Sequence, residues 1–196
     1  MSKLIAQMSM SLDGFIADSA DDVGPLFDWY GSGEESYTFP DSRWTATLTP
    51  ASARHLRAGI ARVGALVCGR RLFDLTKGWG GRHTIDVPVF VVTHRVPDDW
   101  PHPEAPFTFV TDGIESAIAQ AKTRAGDKNV AVASASIAQQ CLNAGLLDEI
   151  CVDLAPVLLG KGIPFFTNLA DAPVLLDNPE IVQGDRVTHL TYRVLR

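Results

Sequence analysis

Short apolar runs alternate with segments of helical periodicity along most of the chain. The apolar runs predict β-strands over residues 3–12, 65–68, 87–93, 107–110, 129–133 and 149–158. Residues 50–62 predict a helix, a second helix begins at Asp112, and a third runs from Ser136 to Gly145. In the second helix, Ile114, Ala117, Ile118 and Ala121 follow the i, i+3, i+4, i+7 spacing of one buried face.

Two of these helices carry the sequence signature of a capped N-terminus. Asp112 is followed three residues later by Glu115, and Ser136 is followed three residues later by Gln139. In such a pair each side chain bonds the free backbone N–H of the other residue. We therefore predict capping boxes at both positions.

The alternation is interrupted in two places. Residues 20–49 are rich in Gly, Pro, Ser, Asp and aromatic residues without a clear period, which predicts a long loop with one short helix. Residues 181–183 and 187–194 flank the pair Gly184-Asp185, a pattern typical of a β-hairpin. Together the pattern predicts one α/β domain over residues 1–196, a three-layer αβα fold whose mostly parallel sheet has an antiparallel C-terminal edge.

Composition narrows the functional classes. The formal net charge of −6 argues against a nucleic-acid-binding protein that works through a general basic surface. No apolar run reaches the length of a membrane helix and the N-terminus lacks a secretory signal pattern, so we expect a cytoplasmic protein. The 3 cysteines lie among apolar neighbours and are expected to be buried and reduced.

Candidate chemistry lies after the strands predicted to end at Cys68, Val92 and Ala133, because ligands of open α/β sheets bind outside the carboxyl ends of strands. Gly69, Arg70 and Arg71 follow the first of these strands and form a candidate anion site. A plain strand-to-helix turn with solvated arginines is the alternative interpretation.

The second strand end carries Thr93, His94 and Arg95, which could grip a ribose 2′-phosphate and so favour NADPH over NADH. Ordinary loop polarity would give the same residues. The third strand end runs through residues 133–136, which all have small side chains. Small side chains allow the backbone to approach a pyrophosphate closely. The alternative is an Ala-Ser turn that only packs tightly. All three strand ends fall at one edge of the predicted sheet, which favours a single phosphate pocket.

Other catalytic signatures are absent from the sequence. It contains no G-x-S-x-G, H-E-x-x-H or G-x-G-x-x-G motif, and residues 160–162 form an incomplete P-loop. His83 and Asp86 could share a metal ion, but no third ligand is evident, so we expect no metal site. His55 and His189 are expected on the faces of their secondary-structure elements.

The order and spacing of several landmarks resemble the dihydrofolate-reductase-like family that includes the reductase domain of the bacterial riboflavin-biosynthesis deaminase/reductase. The landmarks are MSLDGFIA (10–17), GRRLFD (69–74), PVFVVTHR (88–95), and AGLLDEI (144–150) leading to PVLLGKG (156–162). The resemblance covers nearly the whole chain. It implies an NADPH-dependent reductase, usually homodimeric, acting on a pterin-like or ribosylamino-pyrimidine-like small molecule.

The resemblance also implies roles for individual residues. Cofactor contacts are expected from Phe15, Ile16, Gly69, Arg70, Arg71, Leu72, Thr93, His94, Arg95, Ala133, Ser134, Ala135, Ser136 and Ile137. Asp13 is the first candidate for substrate contact or proton relay, with a plain Asp-Gly turn as the alternative. Trp29 and Trp79 are candidate substrate-facing lid residues, or else packing anchors.

Two departures from the family pattern bear on function. Family members commonly carry paired glycines where this chain has Ala133-Ser134, which predicts a weaker cofactor site. The H-x-E and P-C-x-x-C motifs of a zinc deaminase domain are missing. A non-catalytic nucleotide- or ligand-binding dimer of the same fold is one alternative. A true dihydrofolate reductase is another, but it predicts a carboxylate on the first helix and residues 50–62 contain none.

Overall fold

The structure is a computed structural model that describes residues 2–195. The strands are β1 (Leu4–Ser11), β2 (Phe15–Ala17), β3 (Glu35–Thr38), β4 (Thr45–Leu48), β5 (Val63–Gly69), β6 (Val89–Val92), β7 (Phe107–Val110), β8 (Asn129–Ala133), β9 (Glu149–Ala155), β10 (Ile163–Pro164), β11 (Glu180–Gln183) and β12 (Thr188–Arg193). The helices are α1 (Pro50–Ala61), α2 (Arg70–Leu75), α3 (Ile114–Ala125) and α4 (Ala135–Asn143), and 3-10 helices span Gly24–Gly31 and Lys77–Gly81.

The main sheet has the strand order β11-β12-β9-β1-β8-β5-β6-β7. Strands β9, β1, β8, β5, β6 and β7 are parallel to one another, and the β11–β12 hairpin adds an antiparallel edge beside β9. The predicted fold class is therefore confirmed, including the C-terminal hairpin. Because the parallel strands share one direction, their carboxyl ends lie at the same edge of the sheet.

Alternate residues of each strand face opposite layers, as the period of a strand requires. On one face, Val67 of β5 and Val132 of β8 belong to a core cluster completed by Ile118 of α3 and Ile137 of α4. On the other face, buried strand residues pack against Phe73 of α2. The hydrophobic core thus fixes α2 and α4 on opposite sides of the strand ends that carry the candidate site.

The helix starts differ from the predicted capping boxes. Helix α3 begins after Gly113, with φ 104°, and Asp112 accepts a bond from the Ser116 hydroxyl instead of a backbone N–H. Helix α4 begins after Ser134, with φ 122°, and Gln139 donates to the carbonyl of Phe165. The prediction was wrong because the positive φ angles turn the chain into each helix at a different residue from the one that the sequence signature marks.

Residues 20–49 contain more structure than the long loop that the sequence predicts. The short helix is present as a 3-10 helix over Gly24–Gly31, but β3 and β4 also form a two-stranded antiparallel sheet. Their aromatic neighbours Phe39 and Trp44 stack with ring centroids 4.5 Å apart. These strands pair only with each other over four residues, which is too short to give a clear alternating pattern.

All three cysteines are unpaired and buried, as expected. Burial raises the pKa of Cys68 to about 12, so the thiol next to the β5 strand end is protonated at neutral pH and a poor nucleophile. None of the helices within residues 2–195 combines the length and apolar character required to cross a membrane.

The close approach of β10 to β2 predicts a position that only glycine tolerates. A Cβ atom on Gly162 would overlap the carbonyl oxygen of Ala17, so Gly162→Ala should lower the free energy of unfolding by about 3 kcal/mol. Urea unfolding measures this. Gly59→Ala is the control, because Gly59 lies in α1 with no atom near its Cβ position and should gain about 0.5–1 kcal/mol. Equal effects of the two substitutions would contradict the described packing.

Candidate functional site

A groove of about 540 Å³ lies at the carboxyl edge of the parallel sheet. It is lined by Gly69, Arg70, Arg71, Val92, Thr93, His94, Arg95, Thr111, Gly113, Ser136, Ile137 and Gln140. These residues come from the ends of the neighbouring strands β5, β6 and β7, from the loops that follow β6 and β7, and from α2 and α4. Its size falls in the range of small-molecule pockets, roughly 300–1,000 Å³. The groove therefore joins the first two predicted strand ends to the helix that follows the third.

The groove carries three arginines, and each has a carboxylate partner. The pairs are Arg70–Asp74, Arg71–Asp21 and Arg95–Asp98. Arg70 also donates from Nη1 to the carbonyl of Arg95, with a distance of 2.9 Å, so two of the strand ends are bonded to each other. A ligand phosphate in this groove would meet guanidinium groups whose positions are already fixed by neighbouring groups.

Gly69 and Ser134 join the ends of β5 and β8. The backbone N–H of Gly69 donates to the hydroxyl of Ser134, with a distance of 3.2 Å. Ser134 has φ 122° and ψ 140°, a backbone conformation that favours glycine. The position where related proteins were expected to carry glycine thus needs a glycine-like conformation, and a serine occupies it under strain.

Several predicted cofactor residues do not line the groove. Ile16 and Ala135 are buried in the main core cluster, and Leu72 packs against the cluster around Phe73. Phe15 lies in β2, which pairs with β10. Ala133 is the last residue of β8 and packs against the cluster of Leu66 and Cys68.

Asp13 lies away from the groove and holds a neighbouring loop. Its carboxylate accepts bonds from the Ser11 hydroxyl and from the backbone N–H groups of Leu159, at 3.1 Å, and Gly160, at 2.7 Å. The bond from Ser11, with smaller contributions from the two backbone bonds, lowers the pKa of Asp13 below its ordinary value. The group is therefore ionised at neutral pH, and its geometry favours positioning of the 159–160 loop over proton donation.

The two candidate lid tryptophans belong to different packing clusters. Trp29 is 1% exposed, and its indole N–H donates to the hydroxyl of Ser9. Trp79 packs near Phe107 in the cluster on the α2 side of the sheet. Trp29 is thus a buried anchor of its 3-10 helix, and the structure does not bring the two side chains together.

Beneath Trp29 lies a row of polar residues across three strands. Ser9 of β1 is in register with Asp153 of β9, which is in register with His189 of β12. His189 Nδ1 bonds Asp153 Oδ1 at 2.6 Å, and Nε2 bonds the Ser52 hydroxyl of α1 at 2.9 Å. All four side chains are buried. We call Ser9, Ser52, Asp153 and His189 the buried polar row. In the sequence these are only separate polar residues on predicted strands and on the first predicted helix, so no pattern predicted their contact.

His55 extends this row toward solvent and raises the question of a metal site. The ligand atoms of His55, Asp153 and His189 lie within 4.8 Å of one another. However, both ring nitrogens of His189 are already hydrogen-bonded, and its ring stacks on that of His55 at 4.3 Å and 21°. Lone pairs lie in the ring plane, so two nearly parallel rings do not aim at a common ion. The arrangement fits a hydrogen-bonded network better than a metal centre.

His83 and Asp86, considered for a metal site from sequence, have other partners. Asp86 accepts two bonds from Arg82, and His83 Nδ1 accepts from the backbone N–H of Ile85. Burial lowers the pKa of His83 to about 4, so the ring is neutral at pH 7. Four further groove residues were not predicted as site residues: Val92, Thr111, Gly113 and Gln140. Thr111 and Gly113 were missed because nothing in a single sequence shows that β7 lies beside β6.

Comparison with known protein sequences identifies the family of this chain. The sequence model of the RibD C-terminal domain matches residues 2–189. The chain belongs to the RibD C-terminal domain family. A relative, the uncharacterized protein YwjB of Bacillus subtilis (strain 168), is 23% identical over 176 residues, which cover 86% of this chain and 85% of YwjB.

Solved structures agree with that membership. A putative riboflavin biosynthesis protein from Shewanella sp. PV-4 is 25% identical with a TM-score of 0.72, and the match covers 99% of both chains. The Thermotoga maritima deaminase/5-amino-6-(5-phosphoribosylamino)uracil reductase has a TM-score of 0.59 at 15% identity; this chain covers 57% of it, and 99% of this chain is matched. The dihydrofolate reductase of Enterococcus faecalis, complexed with NADP(H), has a TM-score of 0.59 at 14% identity, over 99% of this chain and 97% of that one. The last two show the fold alone.

The buried polar row predicts an asymmetry between two aspartates in this RibD C-terminal domain. Asp153→Ala leaves the buried N–H of His189 without its acceptor and should lower the free energy of unfolding by about 3 kcal/mol. Asp177→Ala is the matched control, because its pair with Arg193 is exposed and long, 3.7 Å, and should change stability by less than about 0.5 kcal/mol. Thermal and urea unfolding compare the two. A loss for Asp153→Ala no larger than that of the control would rule out a stabilising role for the row.

Proposed function

We propose that this protein is an NADPH-dependent reductase of a small heterocyclic substrate, pterin-like or ribosylamino-pyrimidine-like. The observation that carries the proposal is the groove at the carboxyl edge of the sheet. There Gly69–Arg71, Thr93–Arg95 and the start of α4 line one groove, so three arginines lie at a single pocket in a protein of net charge −6. An acidic protein that concentrates cations at one pocket is suited to a multiply charged anion such as a dinucleotide phosphate.

The residues of the groove fit the parts of that cofactor. Arg70, Arg71 and Arg95 offer forked donors to phosphate oxygens, and Thr93 and His94 add a hydroxyl and an imidazole beside them. Space is tight at Gly69, where a Cβ would lie 3.3 Å from Ile137 and 3.4 Å from the Ser134 hydroxyl. A glycine at this point keeps the wall of the groove open.

The chain's own residues supply binding, orientation and exclusion of water. When bound, a nicotinamide cofactor supplies the hydride. Phe15 and Ile16, proposed to flank the nicotinamide, follow Asp13 in sequence, and Asp13 fixes the loop at Leu159 and Gly160. Asp13 is therefore a positioning residue in this proposal. The proton that accompanies the hydride has to come from another protonated group or from solvent, since the Asp13 carboxylate is ionised.

Substrate contact is proposed on the Trp29 side of β1. Trp29 covers the buried polar row, where an aspartate and a histidine lie side by side beneath an aromatic ring. Trp29 itself is 1% exposed, so contact between its ring and a substrate requires the 3-10 helix over Gly24–Gly31 to shift. Trp79 packs in the separate cluster around Phe73, and its role as a substrate residue stays a prediction. Cytoplasmic location and a homodimer stay predictions.

Two observations favour the second candidate, a nucleotide-binding protein without catalysis. The Ser134 hydroxyl accepts a hydrogen bond from the backbone N–H of Gly69 at the turn where the pyrophosphate is expected to bind. In addition, each arginine of the groove already has a carboxylate partner. Both features lower the affinity for a cofactor phosphate. Binding, and then turnover, separate the two candidates.

Arginine substitutions test the cofactor assignment. Arg95→Gln should weaken NADPH binding about tenfold or more, while NADH binding changes little, because the lost guanidinium serves the 2′-phosphate. Nicotinamide fluorescence on titration measures both constants. Arg54→Gln, which removes an exposed arginine of α1, is the control and should leave both unchanged. If the unmodified protein does not bind NADPH at millimolar concentration, the reductase proposal is contradicted.

Substitutions at Ser134 test the strained turn. Both Ser134→Gly and Ser134→Ala remove the acceptor for Gly69 N–H, but only glycine relieves the positive φ. The glycine variant should therefore be more stable than the alanine variant by about 1–2 kcal/mol, and it should bind NADPH more tightly than the unmodified protein. Urea unfolding and cofactor titration measure the two effects. Equal stability of the two variants would show that the turn is not strained.

A further inference from the structure

The segment Asp18–Gly24 holds a fixed shape through its own acidic side chains. Asp18 Oδ1 accepts the backbone N–H groups of Ala20, at 2.7 Å, and Asp22, at 3.0 Å. Asp22 Oδ1 accepts the N–H of Gly24 at 3.0 Å, and Asp21 N–H donates to the carbonyl of Asp18. Asp21 sits in this turn with φ 65°. Its side chain is therefore presented in one direction by a preformed turn.

That direction leads to the groove. Asp21 Oδ2 lies 2.6 Å from Arg71 Nη2, with the carboxylate side chain 18% exposed and the arginine side chain 69% exposed. The carboxylate bond comes first among the causes that raise the pKa of Arg71. Asp21 thus binds an arginine that lines the proposed phosphate pocket.

This ion pair differs from those of the other two groove arginines. The partners of Arg70 and Arg95 lie four and three residues away along the chain and stay with them. Asp21 lies 50 residues from Arg71, in a separate segment. The Asp21 carboxylate can therefore leave Arg71 without any change in α2.

We propose that Asp21 lowers cofactor affinity by acting as an internal anion. Its carboxylate occupies the position on Arg71 that a phosphate oxygen of the ligand would otherwise take. The inference rests on the proposed function, because it takes the phosphate of the dinucleotide as the competing group. Binding of the cofactor breaks the Asp21–Arg71 bond and releases the segment Asp18–Gly24 from α2.

The competition follows from the chemistry of the guanidinium group. Carboxylate and phosphate oxygens both bind it through charge-assisted hydrogen bonds, and one N–H does not serve both at full strength. A carboxylate left beside the bound phosphate would also repel it. By thermodynamic linkage, the ion pair weakens cofactor binding by the same free energy by which the bound cofactor weakens the ion pair.

The segment also connects the groove to the rest of the proposed active site. It begins one residue after β2, which carries Phe15 and Ile16, and it ends at Gly24, the first residue of the 3-10 helix that carries Trp29. Release of Asp21 therefore frees the chain between the two elements proposed to flank the nicotinamide and the substrate.

Asp21→Asn tests the proposal, with Asp22→Asn as the matched control. Both remove one negative charge from the same segment, and an asparagine oxygen still accepts the N–H of Gly24 at position 22. Because Arg71 is largely exposed, Asp21→Asn should tighten NADPH binding about three- to fivefold at low salt, and Asp22→Asn by less than twofold. Nicotinamide fluorescence measures both constants.

A double-mutant cycle with Arg71→Gln identifies the route of the effect. If Asp21 acts through Arg71, Asp21→Asn should change NADPH affinity less than twofold in the Arg71→Gln background. An unchanged three- to fivefold effect there, or equal effects of Asp21→Asn and Asp22→Asn in the unmodified protein, would overturn the proposal.

One further measurement keeps the inference separate from the proposed function. Inorganic pyrophosphate, titrated calorimetrically, should also bind more tightly to Asp21→Asn than to Asp22→Asn. If no variant binds NADPH but pyrophosphate shows this difference, the reductase proposal fails and the internal anion stands; if pyrophosphate affinity is unaffected, the internal anion fails.

Discussion

Parallel hydrogen bonding across β9, β1, β8, β5, β6 and β7 is the constraint on which the rest of this structure depends. Parallel neighbours need long crossover connections, and these return the chain to the same end of the sheet each time. Every crossover therefore leaves a strand at one edge and enters a loop or helix there. Residues far apart in the sequence, such as Gly69 and Ser134, meet because their strands are neighbours in this register.

This constraint explains how far the sequence could predict the molecule. The apolar runs and helical periodicity predicted the strands of the main sheet, the layers and the C-terminal hairpin, because these depend on local patterns of burial. Gly69, Arg70, Arg71, Thr93, His94 and Arg95 could be predicted as one site from the rule that ligands bind at strand ends. Thr111 and Gly113 could not, since the position of β7 beside β6 depends on packing across the whole sheet.

The failures have physical reasons of the same kind. Asp112 and Ser136 carry the side chains of good helix caps, but Gly113 and Ser134 adopt positive φ angles and set the helix starts. Asp153, His189 and Ser52 are ordinary residues on predicted elements, and only the pairing of β9 with β12 and the placement of α1 bring them together. A single sequence shows which local conformation each residue prefers, but it does not show which tertiary contacts override that preference.

Charged and polar side chains are arranged in opposite ways on the two sides of β1 in the sheet: buried on one side and exposed on the other. The buried polar row keeps an aspartate and a histidine away from water, where each depends on the other and the loss of either is costly. The groove keeps its arginines near solvent, where ion pairs are weak and easily exchanged. The first arrangement suits a fixed scaffold, and the second suits a site whose internal partners give way to a ligand. The affinity of the groove is consequently a difference between two sets of similar bonds. Small changes at its rim, rather than new contacts in its core, are therefore the means by which this chain would tune cofactor binding.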